Sequence, residues 1–483
     1  MRARARVSLV FWLALAVGCG GVSEPVHEAT PVSIPRQTAA ADAPTIVLVS
    51  IDTLRADRLG CYGCDRPTSP KIDRFRQQAV LFEQAIAHAP STLPSHASML
   101  TSMLPLHHGA SFQEERPLPP AIPTLAEVLQ AAGYRTAAFT GGGQLAPEFG
   151  LDQGFDVYRV VGGSRRFHET VRAGLQWLED DLSRPAFLFL HTYEVHHPYT
   201  PEPEFLKLVE DDYPGSLPDR ISKKLLRRIN NGAVSIDDDD LAHIVATYDA
   251  EIRSVDKAFG RLRGGLRELG LWQEAFVIVT SDHGEEFGEH GAVGWHSHSL
   301  YDELLRVPLL IRFPRWAHGG ETVQQQVRLI DIPPTVVAAA GLRAPSSFDG
   351  VDLATVIVEG SAPLAAVSQQ DTPTKIRRLS LRTEDRKLYP RELLTTPLFG
   401  PPRGLWRRVV DAVHERRAPF ALFDLAVDPG ETTDVAGDRG RETGSLRKQL
   451  EQEMARRPAV AAPGSVAVDD LTEEQLRALG YIE

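Results

Sequence analysis

Runs of consecutive apolar residues recur along the chain at strand length, and each stops abruptly at polar residues. Thr45 to Ser50 reads Thr-Ile-Val-Leu-Val-Ser, Ala186 to His191 reads Ala-Phe-Leu-Phe-Leu-His, Phe276 to Thr280 reads Phe-Val-Ile-Val-Thr, and Arg135 to Thr140 and Val307 to Phe313 are further runs. Apolar runs without polar alternation predict strands buried on both faces, as in a mostly parallel sheet between helices. The segments between them carry helical signals. Ile122 to Gly133 offers Thr124 as cap, Leu125, Val128 and Leu129 as stripe and Gly133 as stop. Pro67 to Ala79 reads as a loop into an amphipathic helix, Val80-Leu-Phe82 as a short strand, and Ser235 to Leu269 as mainly helical. From about Ser368 the texture changes to short segments, Leu379 to Thr383, Lys387 to Tyr389 and Phe420 to Asp424, then a helix near Leu446 to Arg457 and the tail Leu471 to Glu483. Such pieces suit a small antiparallel sheet packed on a larger α/β domain. The expected division is a main domain at 45–365 and a C-terminal α+β subdomain at 366–483.

The first nineteen residues break this pattern. Arg2, Arg4 and Arg6 precede an apolar run from Val7 to Val17, closed by small residues before Cys19. That is an export signal, too short to span a bilayer as a mature helix. Leu15-Ala-Val-Gly-Cys19 resembles a bacterial lipobox, which implies a cell-envelope or periplasmic protein lipid-anchored at Cys19; ordinary cleavage to a free secreted protein is the alternative. Residues 20–44, rich in Ala, Pro, Ser and Thr, then form a flexible linker.

Composition narrows the class further. With 42% hydrophobic and 24% charged residues the chain is globular, and 35 prolines with 38 glycines predict many loops. Loss of the signal arginines takes the formal charge from −12 to about −15. A surface that acidic argues against nucleic acid as a partner. Only Cys61 and Cys64 remain beyond the signal; they make no disulfide framework, and either a bridge or two small buried side chains fit.

The polar residues that end the apolar runs carry the candidate chemistry. Asp52 follows the first run, and open α/β sheets bind ligands at the carboxyl ends of their strands. His191 runs into Glu194-Val-His196-His197-Pro198-Tyr199, and the fourth run ends in Ser281-Asp282-His283-Gly284. Asp237 to Asp240 with His243 could in principle bind metal, but four carboxylates opening a helix answer its macrodipole. In Ala89 to Ser102, Thr92 stands two residues before Pro94, a residue suited to a first helical turn, so the hydroxyl lies at the positive end of a helix. A parallel sheet gathers such residues on one edge. Oxygen and imidazole ligands without thiolate fit Mg, Mn, Ca or Zn. An ion there would activate the Thr92 hydroxyl for displacement at phosphorus or sulfur.

Taken in order, these motifs resemble the sulfatase family within the alkaline phosphatase-like superfamily. The resemblance rests on Ser50-Ile-Asp52-Thr53-Leu54-Arg55-Ala-Asp57 with Gly60-Cys-Tyr-Gly63, Thr92-Leu-Pro94-Ser-His96-Ala, and Gly150-Leu-Asp-Gln-Gly-Phe-Asp156. It continues through His196-His-Pro198-Tyr199, Ser281-Asp282-His283-Gly284 with Gly288-Glu-His-Gly291, His298-Ser-Leu-Tyr301 with Arg306-Val-Pro308, and Leu422-Phe-Asp-Leu-Ala-Val-Asp428-Pro429-Gly-Glu431. It implies a three-layer α/β/α sandwich with a mostly parallel central sheet. It also implies Asp52, Asp282, His283 and Thr92 as ligands of a divalent metal, Thr92 as nucleophile, and His96, His196 and His298 as catalytic residues, with His298 where many members carry lysine.

Three departures from the family pattern shape the functional expectation. Thr92 and His96 replace the Cys or Ser and the Arg of the sulfatase signature, so formylglycine is not expected. Asp52-Thr53 is one carboxylate short of a paired-Asp motif, and Gly141 to Gly143 stand about where many sulfatases have a Lys and a His. The expectation is a metal-dependent hydrolase of small-molecule, glycan or lipid esters, cleaving phosphoesters through a covalent Thr92 intermediate. A sulfatase working without formylglycine, a phospho-group transferase and a non-catalytic surface binding protein are the alternatives. No protein partner is expected, and the membrane is met only through the lipid anchor.

Overall fold

Along β1 (Ile46–Ile51) successive side chains enter two separate cores, Ile46 and Leu48 on one face and Val47, Val49 and Ile51 on the other. A strand buried in this way on both faces must lie inside a sheet with helices on each side. The structure, a computed structural model, describes residues 34–40, 42–161, 166–210, 212–360, 364–371, 378–394, 419–457, 466, 468–479 and 481. The export signal, Cys19 and most of the linker lie outside the described residues. Among the described residues no helix is long and apolar enough to cross a membrane.

After β1 come β2 (Val80–Ile86), β3 (Arg135–Thr140), β4 (Val157–Val160), β5 (Ala186–Thr192) and β6 (Phe276–Thr280), a short hairpin of β7 (Glu286–Phe287) and β8 (Val293–Trp295), then β9 (Arg306–Arg312) and β10 (Thr322–Arg328). All but the hairpin form one eight-stranded sheet in the order β10-β2-β9-β6-β1-β5-β3-β4. Every neighbour pair is parallel except those of β9, which runs antiparallel to both β2 and β6. The sheet is therefore mostly parallel, as the apolar runs predict. The direction of β9 is not legible in its sequence, because a strand buried on both faces reads alike in either direction.

Helices cover the two faces. Leu93, Ala97 and Leu100 from helix Thr92–Thr101, Leu125, Val128 and Leu129 from Leu125–Ala131, and Val336 and Val337 from Ile332–Ala339 share the core with Ile46 and Leu48. Ile72 and Phe75 from Pro70–Arg76, Val171 and Leu178 from Phe167–Glu179, and Tyr248 and Ile252 from Asp238–Glu268 share the core with Val47 and Val49. Thr124 and Glu127 close a capping box on helix Leu125–Ala131. Asp237 does the same with Asp240 for helix Asp238–Glu268, while His243 bonds Glu210 at 2.8 Å, so that acidic run serves the helix end. Cys61 and Cys64 are free thiols, both half-buried.

The C-terminal strands β11 (Ala366–Gln370), β12 (Arg378–Arg382), β13 (Arg386–Pro390) and β14 (Phe420–Asp424) form an antiparallel sheet in that order. Val367, Leu381, Leu388 and Leu422 pack with Leu446 and Leu450 of helix Gly440–Ala455 against Leu104, Leu106 and Ile330 of the main body. Helix Asp470–Leu479 then turns back to the large sheet, where Leu476 and Leu479 join its core. Gln475 Oε1 accepts the Gly143 N–H at 3.0 Å beyond the end of β3.

Candidate active site

The three central strands end level with one another, since Ser50 of β1 pairs with His191 of β5 and with Thr280 of β6. Asp52, Asp282 and His283 lie just beyond that line, fully buried. Thr53 takes a left-handed φ of 59°, which turns the chain after Asp52. Its hydroxyl donates back to the Asp52 carbonyl at 2.7 Å and its N–H to Asp282 Oδ1 at 3.4 Å. Thr53 thus supports the turn and adds no ligand where a second carboxylate would stand.

Burial pushes the Asp52 carboxyl up to about 6, against His283 beside it. It raises Asp282 as well, and the Asp52 charge adds to that. Asp52 Oδ1, Asp282 Oδ2 and His283 Nε2 have no hydrogen-bond partner, and the ligand atoms of this trio lie within 4.8 Å of one another. His283 Nδ1 donates to the Gly284 carbonyl at 2.9 Å, which leaves Nε2 with a free lone pair. Two buried carboxylates and an oriented imidazole with unpaired lone pairs fit a divalent cation, since without one they carry an uncompensated burial cost.

Thr92 enters this group from the loop after β2. Ser91 is the extended N-cap residue and Thr92 the first residue of a wholly buried helix. The Thr92 hydroxyl donates to Asp52 Oδ2 at 3.1 Å, and the Leu93 N–H donates to Gln144 Oε1 at 3.0 Å. His96, one turn on, is fully buried and has both ring nitrogens engaged: Nδ1 donates to the Thr92 carbonyl and Nε2 accepts from Ser50 Oγ, each at 2.9 Å. Burial pushes its imidazole down to about 4. Through these two bonds the ring ties the Thr92 helix to β1.

A second group of imidazoles adjoins the first, with the His283 and His296 rings 4.6 Å apart. His196, His197 and His296 bring ligand atoms within 4.8 Å of one another. His196 Nδ1 donates to the His197 carbonyl at 2.5 Å, and His296 Nδ1 bonds Glu285 Oε1 at 2.8 Å, so each ring is held through its Nδ1. Glu285 also accepts the Tyr199 hydroxyl at 3.0 Å. Burial works to raise its pKa, but His296 and His197 hold it well below the ordinary carboxylate range. His197 lies flat on the Trp295 ring, and burial pushes it down to about 4.

His298 belongs to a different contact. Its Nε2 pairs with Glu286 Oε2 at 2.6 Å, while Glu286 Oε1 accepts the N–H groups of His290 and Ala292. Ser297 Oγ donates to the Pro90 carbonyl at 3.1 Å, which ties this loop to the one ahead of Thr92. No hydrogen bond joins His298 directly to Thr92 or His196 among the described residues.

The fold thus brings Asp52, Thr92, Asp282 and His283 together, sets His96 behind them, His196 beside them and His298 on the neighbouring loop. Sequence reading missed His296, Glu285, Gln144 and Tyr481 as site members. The first two stand within the motif-rich stretch and were open to notice; Gln144 and Tyr481 give no signal. Tyr481 Oη lies 3.0 Å from Thr92 Oγ1 and 3.1 Å from His196 Nε2.

Comparison with known proteins agrees with this architecture. An ulvan-active sulfatase of Formosa agariphila is 26% identical over 347 residues, covering 65% of this chain and 65% of that protein, so the match spans less than two thirds of the relative's length. A solved structure bound to its substrate D-glucosamine-2-N,6-O-disulfate superposes with a TM-score of 0.68 at 19% identity, covering 86% of this chain and 98% of that one. The phosphonate monoester hydrolase of Agrobacterium radiobacter superposes with a TM-score of 0.65 at 20% identity, covering 86% and 96%. The fold is thus the alkaline phosphatase-like α/β/α sandwich. The sulfatase family model matches residues 44–342, well over half of the chain, and the protein belongs to the sulfatase family.

Proposed function

We propose that this sulfatase-family hydrolase cleaves phosphoesters, with Thr92 as the nucleophile of a covalent intermediate. The observation that carries the reading is the threonine itself, buried at a helix start with its hydroxyl 3.1 Å from Asp52 Oδ2. Asp52, Asp282, His283 and Thr92 would hold a divalent Mn, Ca, Mg or Zn ion, which neutralises charge on the transferred group and favours the ionised hydroxyl. Thr92 Oγ1 attacks in line as its proton passes to Asp52 Oδ2, to which the hydroxyl donates, and the bond from the central atom to the alcohol oxygen breaks. His298, backed by Glu286, protonates the departing alcohol, and His196 contacts the transferred oxygens. A threonine ester has no second hydroxyl with which to expel the group, as a formylglycine hydrate does. Water must therefore cleave it at the central atom, which favours phosphorus.

A sulfuric ester is the second reading, supported by the sulfatase names among the relatives. Small-molecule, glycan or lipid esters suit either. In the same reading the protein is exported and anchored at Cys19, 45–365 is the catalytic domain and 366–483 the accessory one. Parallel initial rates on bis(p-nitrophenyl) phosphate and p-nitrophenyl sulfate with Mn, followed by acid quench and peptide mass spectrometry, test the reading. The expected result is phosphodiester turnover with phosphate trapped on Thr92. Thr92-dependent release of sulfate with no phosphodiester turnover would reverse it.

A further inference from the structure

We propose that Tyr481 is a catalytic residue of this centre, its hydroxyl set against the attacking oxygen of Thr92. The inference rests on the reading of Thr92 as nucleophile. Tyr481 stands 389 residues from Thr92 in sequence, yet its Oη lies 3.0 Å from Thr92 Oγ1 and 3.1 Å from His196 Nε2. It bridges the nucleophile and a histidine that would contact the transferred group.

The approach of this segment is built into the main body. Gly142 and Gly143 take φ of 72° and 60°, and a Cβ on Gly142 would run into Gln475 Oε1, while one on Gly143 would lie 2.7 Å from Leu479 Cδ1. The glycine loop after β3 is thus shaped to seat helix Asp470–Leu479, and the Gly143 N–H fixes it through Gln475. The Tyr481 N–H then donates to the Leu476 carbonyl at 2.8 Å, and its ring packs edge-on to Phe112 at 5.5 Å. By the family resemblance, Gly141 to Gly143 are where lysine and histidine often stand. The loop that lacks those side chains accepts a helix that brings in a phenol.

The contacts define what the phenol does. Asp52 Oδ2 accepts from Thr92 on one side and Tyr481 Oη lies on another, so two partners select one rotamer of the β-branched nucleophile. His196 Nδ1 is already committed to the His197 carbonyl, so Nε2 is an acceptor. The phenol therefore has a proton to give between Thr92 and His196. When an ester binds, that donor faces the oxygens of the group being transferred, where a fixed donor is most effective.

The test compares wild type, Tyr481→Phe, Gln475→Ala and Thr92→Ala as full mature chains with Mn. Turnover of bis(p-nitrophenyl) phosphate is read beside calorimetric binding of orthovanadate, a mimic of the five-coordinate transition state. Tyr481→Phe keeps the ring packing and should melt as wild type does. It should lose on the order of 10²-fold in kcat with KM little changed, and bind vanadate at least ten-fold more weakly. Gln475→Ala, which loosens the seat of the helix, should move both quantities in the same direction. Wild-type kcat and vanadate affinity in Tyr481→Phe would overturn the proposal, and so would a gain in either, which would make the segment a cover over the site. Full activity of Thr92→Ala overturns the nucleophile reading itself, whereas an inactive Thr92→Ala beside a fully active Tyr481→Phe overturns only the role of Tyr481.

Discussion

The Thr92 hydroxyl donates to Asp52 Oδ2 across 3.1 Å, joining the first turn of a helix to the carboxyl end of a strand forty residues earlier. If this pair acts as one unit, its two halves are not independent. Thr92→Ala and Asp52→Asn should each lower kcat by about 10³-fold or more, and the double variant should be little worse than either single one. Losses that multiply in the double variant would mean that the two residues serve separate steps.

The pairing of His298 Nε2 with Glu286 Oε2 at 2.6 Å orients an imidazole on the loop tied to Pro90. A general acid matters most when the leaving alcohol is a poor one. His298→Gln should therefore cost about 10²- to 10⁴-fold in kcat on an alkyl phosphoester and much less on a p-nitrophenyl ester. Equal losses on both substrates would assign His298 to binding the transferred group instead.

Much of this architecture is legible in the sequence because burial leaves a plain mark. Ile46 to Val49 and Phe276 to Val279 are apolar without alternation, and only a strand covered on both faces tolerates that. Asp52 and Asp282 could be singled out because the ends of such strands meet at one edge. The direction of β9 was not legible, since apolar patterning carries no sense of direction. His96 reads the same whether it faces a reactant or, as found, the Thr92 carbonyl and Ser50 Oγ. Tyr481 reaches Thr92 only through the seating of a distant helix on Gly142 and Gly143, a tertiary contact with no local pattern.

Histidines buried away from the centre make stability depend on pH. His88 Nδ1 donates to the Val367 carbonyl at 2.6 Å, joining the main body to β11, and burial pushes the imidazole down to about 4. His108, bonded to Ser98 Oγ, is pushed down to about 3 for the same reason. Both are neutral when folded, whereas an unfolded histidine takes up a proton below about pH 6.5. Their contribution is complete above that pH and is lost as pH falls toward 4. While the unfolded state alone is protonated, each costs about 1.4 kcal/mol per pH unit. Urea unfolding at pH 7.5 and pH 5 should thus give a marked loss of stability at the lower pH. The loss should be smaller in His88→Gln, whose side chain does not titrate; an unchanged loss would remove His88 from the account.

One tie between the two sheets is electrostatic. Lys387 of β13 is fully buried, and its Nζ lies 2.8 Å from Asp302 Oδ1 and 2.9 Å from Glu431 Oε1. Arg382 Nη2 adds a contact to Asp302 Oδ2 at 2.9 Å, and the Asp302 N–H donates to Glu431 Oε2 at 2.7 Å. Burial alone would lower the Lys387 pKa, but Asp302 and Glu431 raise it above the ordinary value, so the ammonium stays charged. Asp302 lies just before β9 and Lys387 in the accessory sheet, so the cluster fastens one sheet to the other. Lys387→Met leaves the buried Glu431 without its cation and Asp302 with Arg382 alone, and should cost about 3–5 kcal/mol in urea unfolding. Lys387→Met combined with Glu431→Leu, which also removes the carboxylate left unpaired, should recover part of that loss. If the double variant is as unstable as the sum of its single changes, the lysine contributes packing rather than charge.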